Sequence, residues 1–103
     1  MLLVSIHQIP GKEYEVLGMV KGCVVQSKNF GKDFMAGMKT LVGGEIVGYT
    51  EMLIEARQIA TKRMVDEAEA MGADAVVNIR YGSSSLMQSA AEIVVYGTAV
   101  KYI

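Results

Sequence analysis

The sequence predicts one α+β domain, residues 1–103, in which an antiparallel sheet of three to four strands carries two helices packed on one face. Three observations support this fold. Branched and aromatic residues without helix formers predict strands near both ends of the chain. Apolar residues recur at helical spacing in its middle. A chain of 103 residues has no room for a second core, so the expected order is β-α-α-β-β in two layers.

The first strands precede residue 28. Residues 2–8 are apolar enough for a short strand, which ends at Pro10 and Gly11. The stretch EYEVLGMVKGCVVQS, residues 13–27, predicts a long strand, in which Gly18 and Gly22 indicate a bulge or a second backbone close by. Both faces of this strand need cover: one would carry Tyr14, Val16, Val20 and Val24, and the other Leu17, Met19, Cys23 and Val25.

Two helices are expected in the middle of the chain. The first covers residues 32–41, where Phe34, Met35, Met38 and Leu41 recur at helical spacing. The second covers residues 50–71, with Thr50 as N-cap and Gly72 as the C′ residue. Its apolar stripe indicates a helix that lies on a flat surface, and consists of Met52, Ala56, Ile59, Ala60, Met64, Ala68 and Met71.

The last two strands are predicted at AVVNIRY, residues 75–81, and at AEIVVYGTAVKYI, residues 91–103, with GSSSLMQS as the connecting loop. The final strand would place Ile93, Val95, Ala99 and Ile103 on one face and Val94, Tyr96, Val100 and Tyr102 on the other. Helices on one side leave the opposite side of the sheet apolar. Exposed apolar patches mark interfaces, and a second copy of the chain is the simplest partner.

Composition favours self-association over other partners. Apolar residues make up 51% of the chain and the mean hydropathy is +0.30, which is high for a small monomer. The longest apolar runs fall far short of the ~20 residues that span a bilayer, and the N-terminus lacks a basic leader, so no membrane partner is expected. The net charge of −1 without a basic cluster argues against nucleic acid. The single cysteine fits the reducing cytoplasm.

The glycine-rich stretch LVGGEIVGY, residues 41–49, raises the possibility of a phosphate-binding loop. A Walker-type loop requires GxxxxGK[ST], but Gly48 is followed by Tyr49. A dinucleotide-binding loop requires a preceding strand and GxGxxG spacing, and this stretch has neither. We therefore interpret Gly43 as the end of the first helix and Gly44 as a reversal of the chain, since glycine reaches positive φ without steric cost.

Metal binding remains open as an alternative. His7 and Cys23 are the candidate ligands, and two such residues cannot complete a tetrahedral site within one copy. A ring of subunits could bring several copies of Cys23 together around a heavy or transition metal ion. Met35 and Met38 have a spacing that suits Cu(I), although methionines at helical spacing more often fill a core. No Ser-His-Asp or Cys-His arrangement indicates catalysis, which leaves only an enzyme with an intersubunit pocket as a third class.

Three segments resemble the YbjQ-like family of small bacterial and archaeal proteins: DFMAGMKTLVGG, MGADAVV and GTAVK, within a similarity that covers residues 13–101. The resemblance implies a dodecin-subunit-like protomer, a homopentamer, and a description as heavy-metal-binding. No CxxC or HxH pair is present, so the resemblance transfers no metal ligand. The positions that it transfers are structural turns, at Gly43, Gly44, Gly48, Gly72 and Gly97.

The sequence therefore predicts a cytoplasmic homo-oligomer, with five copies implied by the family, that binds or assembles and has no evident catalytic machinery. The partner is the chain itself, without nucleic acid or membrane. The alternative is a heavy-metal-binding protein whose site forms between subunits from Cys23, with His7 as a second candidate ligand.

Overall fold

The computed structural model describes residues 1–27, 41–42, 45–87 and 90–103. In chain order its elements are β1 (Leu2–Leu3), β2 (Tyr14–Ser27), β3 (Leu41–Val42), β4 (Glu45–Ile46), α1 (Val47–Ala70), β5 (Ala75–Met87) and β6 (Ala90–Tyr102). Within these ranges, α1 is the single helix. No helix in the described part of the chain is long and apolar enough to cross a membrane.

The main sheet has four strands in the order β1-β5-β6-β2. Strand β6 is antiparallel to both of its neighbours, with Ala99 beside Val76 on one side and Gly18 on the other. Strand β1 is parallel to β5. Strands β3 and β4 form a separate two-stranded antiparallel ladder immediately before α1. The fold is therefore α+β, with a mixed sheet.

The predicted antiparallel sheet with two helices in the order β-α-α-β-β is wrong. The sheet is mixed because the connection after β1 is not a hairpin, so β1 lies beside β5 rather than beside β2. The predicted first helix, residues 32–41, lies outside the described residues except for Leu41, which is in β3. The described chain has four strands before its one helix and two after it.

The segment GSSSLMQS, predicted as a loop, instead continues the hairpin between β5 and β6 through Met87. Ser83, Ser84 and Ser85 pair in register with residues 91–93 of β6. Glycine and serine have low strand propensity, but pairing with a neighbouring strand overrides such local preferences. The two strands are consequently 13 residues long each.

The predicted roles of both glycines in β2 are confirmed. Gly18 has a φ of 143° and lies at a register shift between β2 and β6, which is the expected bulge. Gly22 is buried where α1 crosses the strand. A Cβ atom at Gly22 would collide with the carbonyl of Ala60 and lie 2.7 Å from the backbone nitrogen of Met64. Glycine at this position lets the helix approach the sheet backbone directly.

Helix α1 packs over β2 and β6, as its apolar stripe predicts. The buried helix positions recur every four residues: Met52, Ala56, Ala60, Met64 and Ala68. Four-residue spacing places these side chains along one side of a helix. The last four of these side chains belong to one core cluster with small and branched residues of the sheet, namely Val20, Val24, Val76, Ile79, Ile93, Val95 and Ala99.

The two ends of α1 differ in how well the sequence predicts them. The helix begins at Val47, so Thr50 lies inside it and the N-cap prediction is wrong. Gly72 ends it as predicted, with a φ of 78°. The amide of Gly72 donates to the carbonyl of Glu69, and the amide of Ala73 donates to that of Ala68. This pair of hydrogen bonds is the Schellman motif.

A second, smaller core lies on the sheet face opposite α1, at one end of that face. It consists of Ile9, Ala75, Val77 and Val100, with Val4, Tyr14 and Tyr102 packed against it. The segment between β1 and β2 supplies Ile9 and therefore covers this end of the sheet. The Cα radius of gyration is 16.9 Å, against about 13 Å for a compact domain of this length. The long strands β2, β5 and β6 thus extend beyond both cores.

Candidate functional site

The rest of that second sheet face, which we call the open face, consists of side chains of β2, β5 and β6 that point away from α1. Strand register places Met19, Lys21, Cys23 and Val25 of β2 opposite Thr98, Tyr96, Val94 and Glu92 of β6. The exposed fraction is 65% for Met19, 56% for Val25 and 44% for Tyr96. Three large apolar side chains of this face are therefore exposed, and they lie among polar side chains such as Lys21 and Glu92.

A thiol and a carboxylate lie next to each other on the open face. The Sγ atom of Cys23 donates a hydrogen bond to Oε2 of Glu92 over 3.8 Å. Cys23 is exposed, and its backbone carbonyl accepts a 2.7 Å hydrogen bond from Nη1 of Arg63 on α1. Thiolate sulfur and carboxylate oxygen are both metal ligands, so each copy offers two ligand atoms at this position.

The structure does not bring His7 to Cys23. His7 is exposed in the segment after β1, where the carbonyl of Ile6 accepts a hydrogen bond from the amide of Asn78 on β5. Cys23 lies on β2, and β6 separates β2 from β5. No group of three or more histidine, cysteine, aspartate or glutamate residues suited to a metal ion occurs among the residues that the structure describes.

The predicted structural glycines have different surroundings. Gly43 and Gly44 lie outside the described residues, as do Met35 and Met38. Gly48 is the second residue of α1 and is therefore helical rather than part of a turn. Gly97 is in the middle of β6, where a Cβ atom would lie 2.7 Å from Cγ1 of Val76. Gly97 thus permits close packing within the sheet, and only Gly72 of the described set ends an element.

A groove of about 620 Å³ lies on the other side of the sheet, between α1 and β5. Its lining residues are Ile54, Arg57, Gln58, Thr61, Lys62 and Tyr81. Oγ1 of Thr61 donates to the carbonyl of Arg57 over 2.7 Å, so the Tyr81 hydroxyl, 2.9 Å away, donates to Oγ1. The groove exists because α1 covers β2 and β6 but leaves this part of β5 uncovered.

Sequence reasoning missed this groove. Tyr81 was the last residue of a predicted strand, and nothing in the pattern indicated which helix residues would face it. One signal was present: Ile54 interrupts the polar side of α1 and is 42% exposed. An exposed branched residue on the polar side of a helix indicates a second contact surface. The periodicity of apolar residues alone would assign that side of the helix to solvent.

Comparisons with known proteins identify relatives over the full length of the chain. A family model described as "Putative heavy-metal-binding" matches residues 1–103. A UPF0145 protein of Clostridium novyi (strain NT) is 61% identical over 100% of both chains. Another, from Alkaliphilus metalliredigens (strain QYMF), is 59% identical over 100% of both.

The solved structures that resemble this chain include a protein of unknown function from Pediococcus pentosaceus ATCC 25745 that belongs to the DUF74 family. The similarity covers 100% of this chain and 98% of that one, with a TM-score of 0.68 and 12% sequence identity. At this identity the likeness extends to the fold alone.

Proposed function

This chain belongs to the YbjQ-like family, and we propose that it is a cytoplasmic homo-oligomeric binding or assembly protein, with a pentamer as the expected form. The observation that carries this proposal is the open face. Met19, Val25 and Tyr96 expose large apolar surfaces on a sheet whose other face is already covered by α1. Exposed apolar patches of this kind mark interaction sites. Another copy of the chain carries the same surfaces, so self-association requires no second kind of protein.

Magnitudes show how much an open face contributes to an interface. Burying an apolar side chain completely contributes about 1.5–3 kcal/mol. Met19, Val25 and Tyr96 are roughly half exposed, so they contribute about 3 kcal/mol together when a partner covers them. Two such faces in contact contribute about 6 kcal/mol, whereas association costs at least about 4 kcal/mol in lost rotational and translational freedom. The surplus is small, so further contacts between copies strengthen the assembly.

Light scattering coupled to size-exclusion chromatography tests the proposal. The wild-type protein should elute at a multiple of its 11.1 kDa chain mass at two concentrations that differ widely. Val25→Glu should shift the mass toward one chain, because a charge on the open face must be desolvated in the interface. Ile103→Glu is the control, since Ile103 is 86% exposed beyond the end of β6. A wild-type protein that stays at one chain mass overturns the proposal.

Metal binding between copies is the second candidate function. It is favoured by the 3.8 Å separation of Cys23 Sγ and Glu92 Oε2, which gives two ligand atoms per copy. Two copies could then supply the four ligands of a tetrahedral site for zinc or another thiolate-binding ion. Since His7 lies across the sheet from Cys23, we assign the second ligand to Glu92 instead.

Metal analysis of protein purified without a histidine tag tests this candidate. About half an ion per chain is expected, and both Cys23→Ser and Glu92→Gln should remove it. His7→Ala is the matched control and should retain the metal. A content far below half an ion, or one that Cys23→Ser leaves unchanged, eliminates this candidate.

A further inference from the structure

The groove beside α1 carries a cation, Arg57, that has no partner among the described residues of one copy. The Arg57 guanidinium forms no hydrogen bond or ion pair with any residue that the structure describes. Neighbouring cations are engaged: Nζ of Lys62 lies 3.0 Å from the Asp66 carboxylate, and Arg63 donates to the carbonyl of Cys23. Arg57 also borders two exposed apolar side chains, Ile54 at 42% and Tyr81 at 52%.

The open face carries a carboxylate beside exposed apolar surface. Glu92 is half-buried, and within the described part of the chain its carboxylate accepts one hydrogen bond, from Cys23. Val25, directly opposite Glu92 in register, is 56% exposed. Lys21 and Arg80 of this face both lie opposite Tyr96, whose Cα is about 13 Å along β6 from that of Glu92. Neither forms an ion pair with Glu92.

These two charges cannot meet within one copy. Arg57 lies on α1, which covers the sheet face that carries Ile93 and Val95. Glu92 alternates with these residues along β6 and therefore points to the other face. An ion pair between the two positions consequently requires two copies of the chain.

We infer that copies pack front to back, so that the groove beside α1 of one copy receives the open face of the next and Arg57 pairs with Glu92 of that next copy. This inference rests on the proposed self-assembly and names its two surfaces. Val25 and its neighbours then cover Ile54 and Tyr81, so the exposed apolar surface beside each charge is buried in the same contact. Opposite charges beside apolar surface on both partners give the contact its specificity.

Front-to-back packing has a definite consequence for symmetry. The two surfaces in contact are different, so the interface is heterologous and generates a closed ring when the rotation between copies closes. Packing of two open faces against each other would instead leave the groove and Arg57 outside the contact. It also follows that each Cys23 faces α1 of the next copy rather than another Cys23, so a shared thiolate metal site and this packing exclude each other.

Charge reversal tests the pairing. Arg57→Glu and Glu92→Arg should each raise the concentration at which half of the assembly dissociates by at least about tenfold, because each brings like charges together. The double variant should restore assembly to near the wild-type concentration. Glu67→Arg, a reversal at an exposed position elsewhere on α1, is the control and should have little effect.

The outcomes separate this inference from the proposed function. If the wild-type protein is a single chain in solution, self-assembly itself is wrong. If the wild type assembles and Arg57→Glu assembles equally well, or if the double variant fails to recover, the front-to-back contact is wrong while self-assembly stands.

Disulfide trapping gives a second, independent readout. Gln58 lines the groove, so Gln58→Cys should cross-link to the native Cys23 of the next copy under mild oxidation by copper phenanthroline. The expected product is a ladder of covalent oligomers, which the additional substitution Cys23→Ser removes. Efficient Cys23–Cys23 dimers of the wild-type chain would place two open faces together and overturn the inference.

Discussion

Gly22 sets the distance between the helix and the sheet. A Cβ atom at Gly22 would meet backbone atoms of α1, and the alanines of α1 make the same close approach possible from the helix side. Small residues on both partners let two backbones approach more closely than branched side chains allow. The sequence predicts a close backbone neighbour for Gly22, but it cannot identify Ala60 as that neighbour, because the contact spans 38 residues of chain.

Replacement of Gly22 by alanine should therefore destabilise the protein by about 1–3 kcal/mol, since the added methyl group overfills a closely packed position. Urea unfolding at one fixed protein concentration measures this change, because the apparent stability of an assembly depends on concentration. Gly82→Ala is the matched control. Its Cβ atom would meet only Cγ1 of Val94 at 3.3 Å, so a smaller loss is expected. Equal losses at the two positions would contradict this account of Gly22.

At the scale of elements, local signals predict α1 and the centres of β2, β5 and β6, whereas pairing determines what lies between and beside them. The polar segment Ser83–Ser85 reads as a loop because serine favours turns, yet it is a strand because β6 continues beside it. Strand β1 lies parallel to β5 for a reason that no local pattern contains: the connection that follows it crosses the sheet.

The candidate site is likewise only partly predictable from local sequence. The residue type alone makes Cys23 a candidate ligand. A role for Glu92 or Arg57 can be inferred only once the structure shows on which face of the molecule each lies.

The C-terminal end of α1 allows a test at this scale. Gly72 adopts a φ of 78°, a conformation that costs a residue with a Cβ atom about 1–2 kcal/mol. Gly72→Ala should lower the free energy of unfolding by this amount and reduce the melting temperature. Gly72→Asn should cost less, because asparagine tolerates the left-handed conformation better. The result would count against this role if alanine were tolerated better than asparagine.

At the scale of the whole molecule, the sheet has two cores, one on each face. The larger lies under α1, and the smaller lies under the segment that carries Ile9. The sequence predicts that both faces of the sheet are apolar. It does not predict that the residues between β1 and β2 cover one end of the second face. Their apolar pattern is equally consistent with a strand.

Ile9→Ala should remove the cover from Val77 and Val100 and destabilise the protein by about 2–4 kcal/mol, as truncation of a buried isoleucine does. Native-state hydrogen exchange would locate the effect. Amides near residues 75–77 and 100 should lose protection, while those of α1 between residues 56 and 64 should lose less. Uniform loss across both regions would show that the two cores unfold as one unit.

The hydrogen bond from Arg63 to the carbonyl of Cys23 has a consequence for solubility. Strand β2 is one of the two edge strands of the main sheet and is 14 residues long, and long unprotected edges promote amyloid-like addition of further strands. A strand added at this point would have to displace a charge-assisted bond of 2.7 Å. Arg63→Ala should therefore accelerate aggregation on heating, measurable by thioflavin T fluorescence, whereas the substitution Glu67→Ala on the same helix should not. The Arg63 guanidinium on α1 thus occupies a carbonyl of the edge strand that a fibril-forming strand would need.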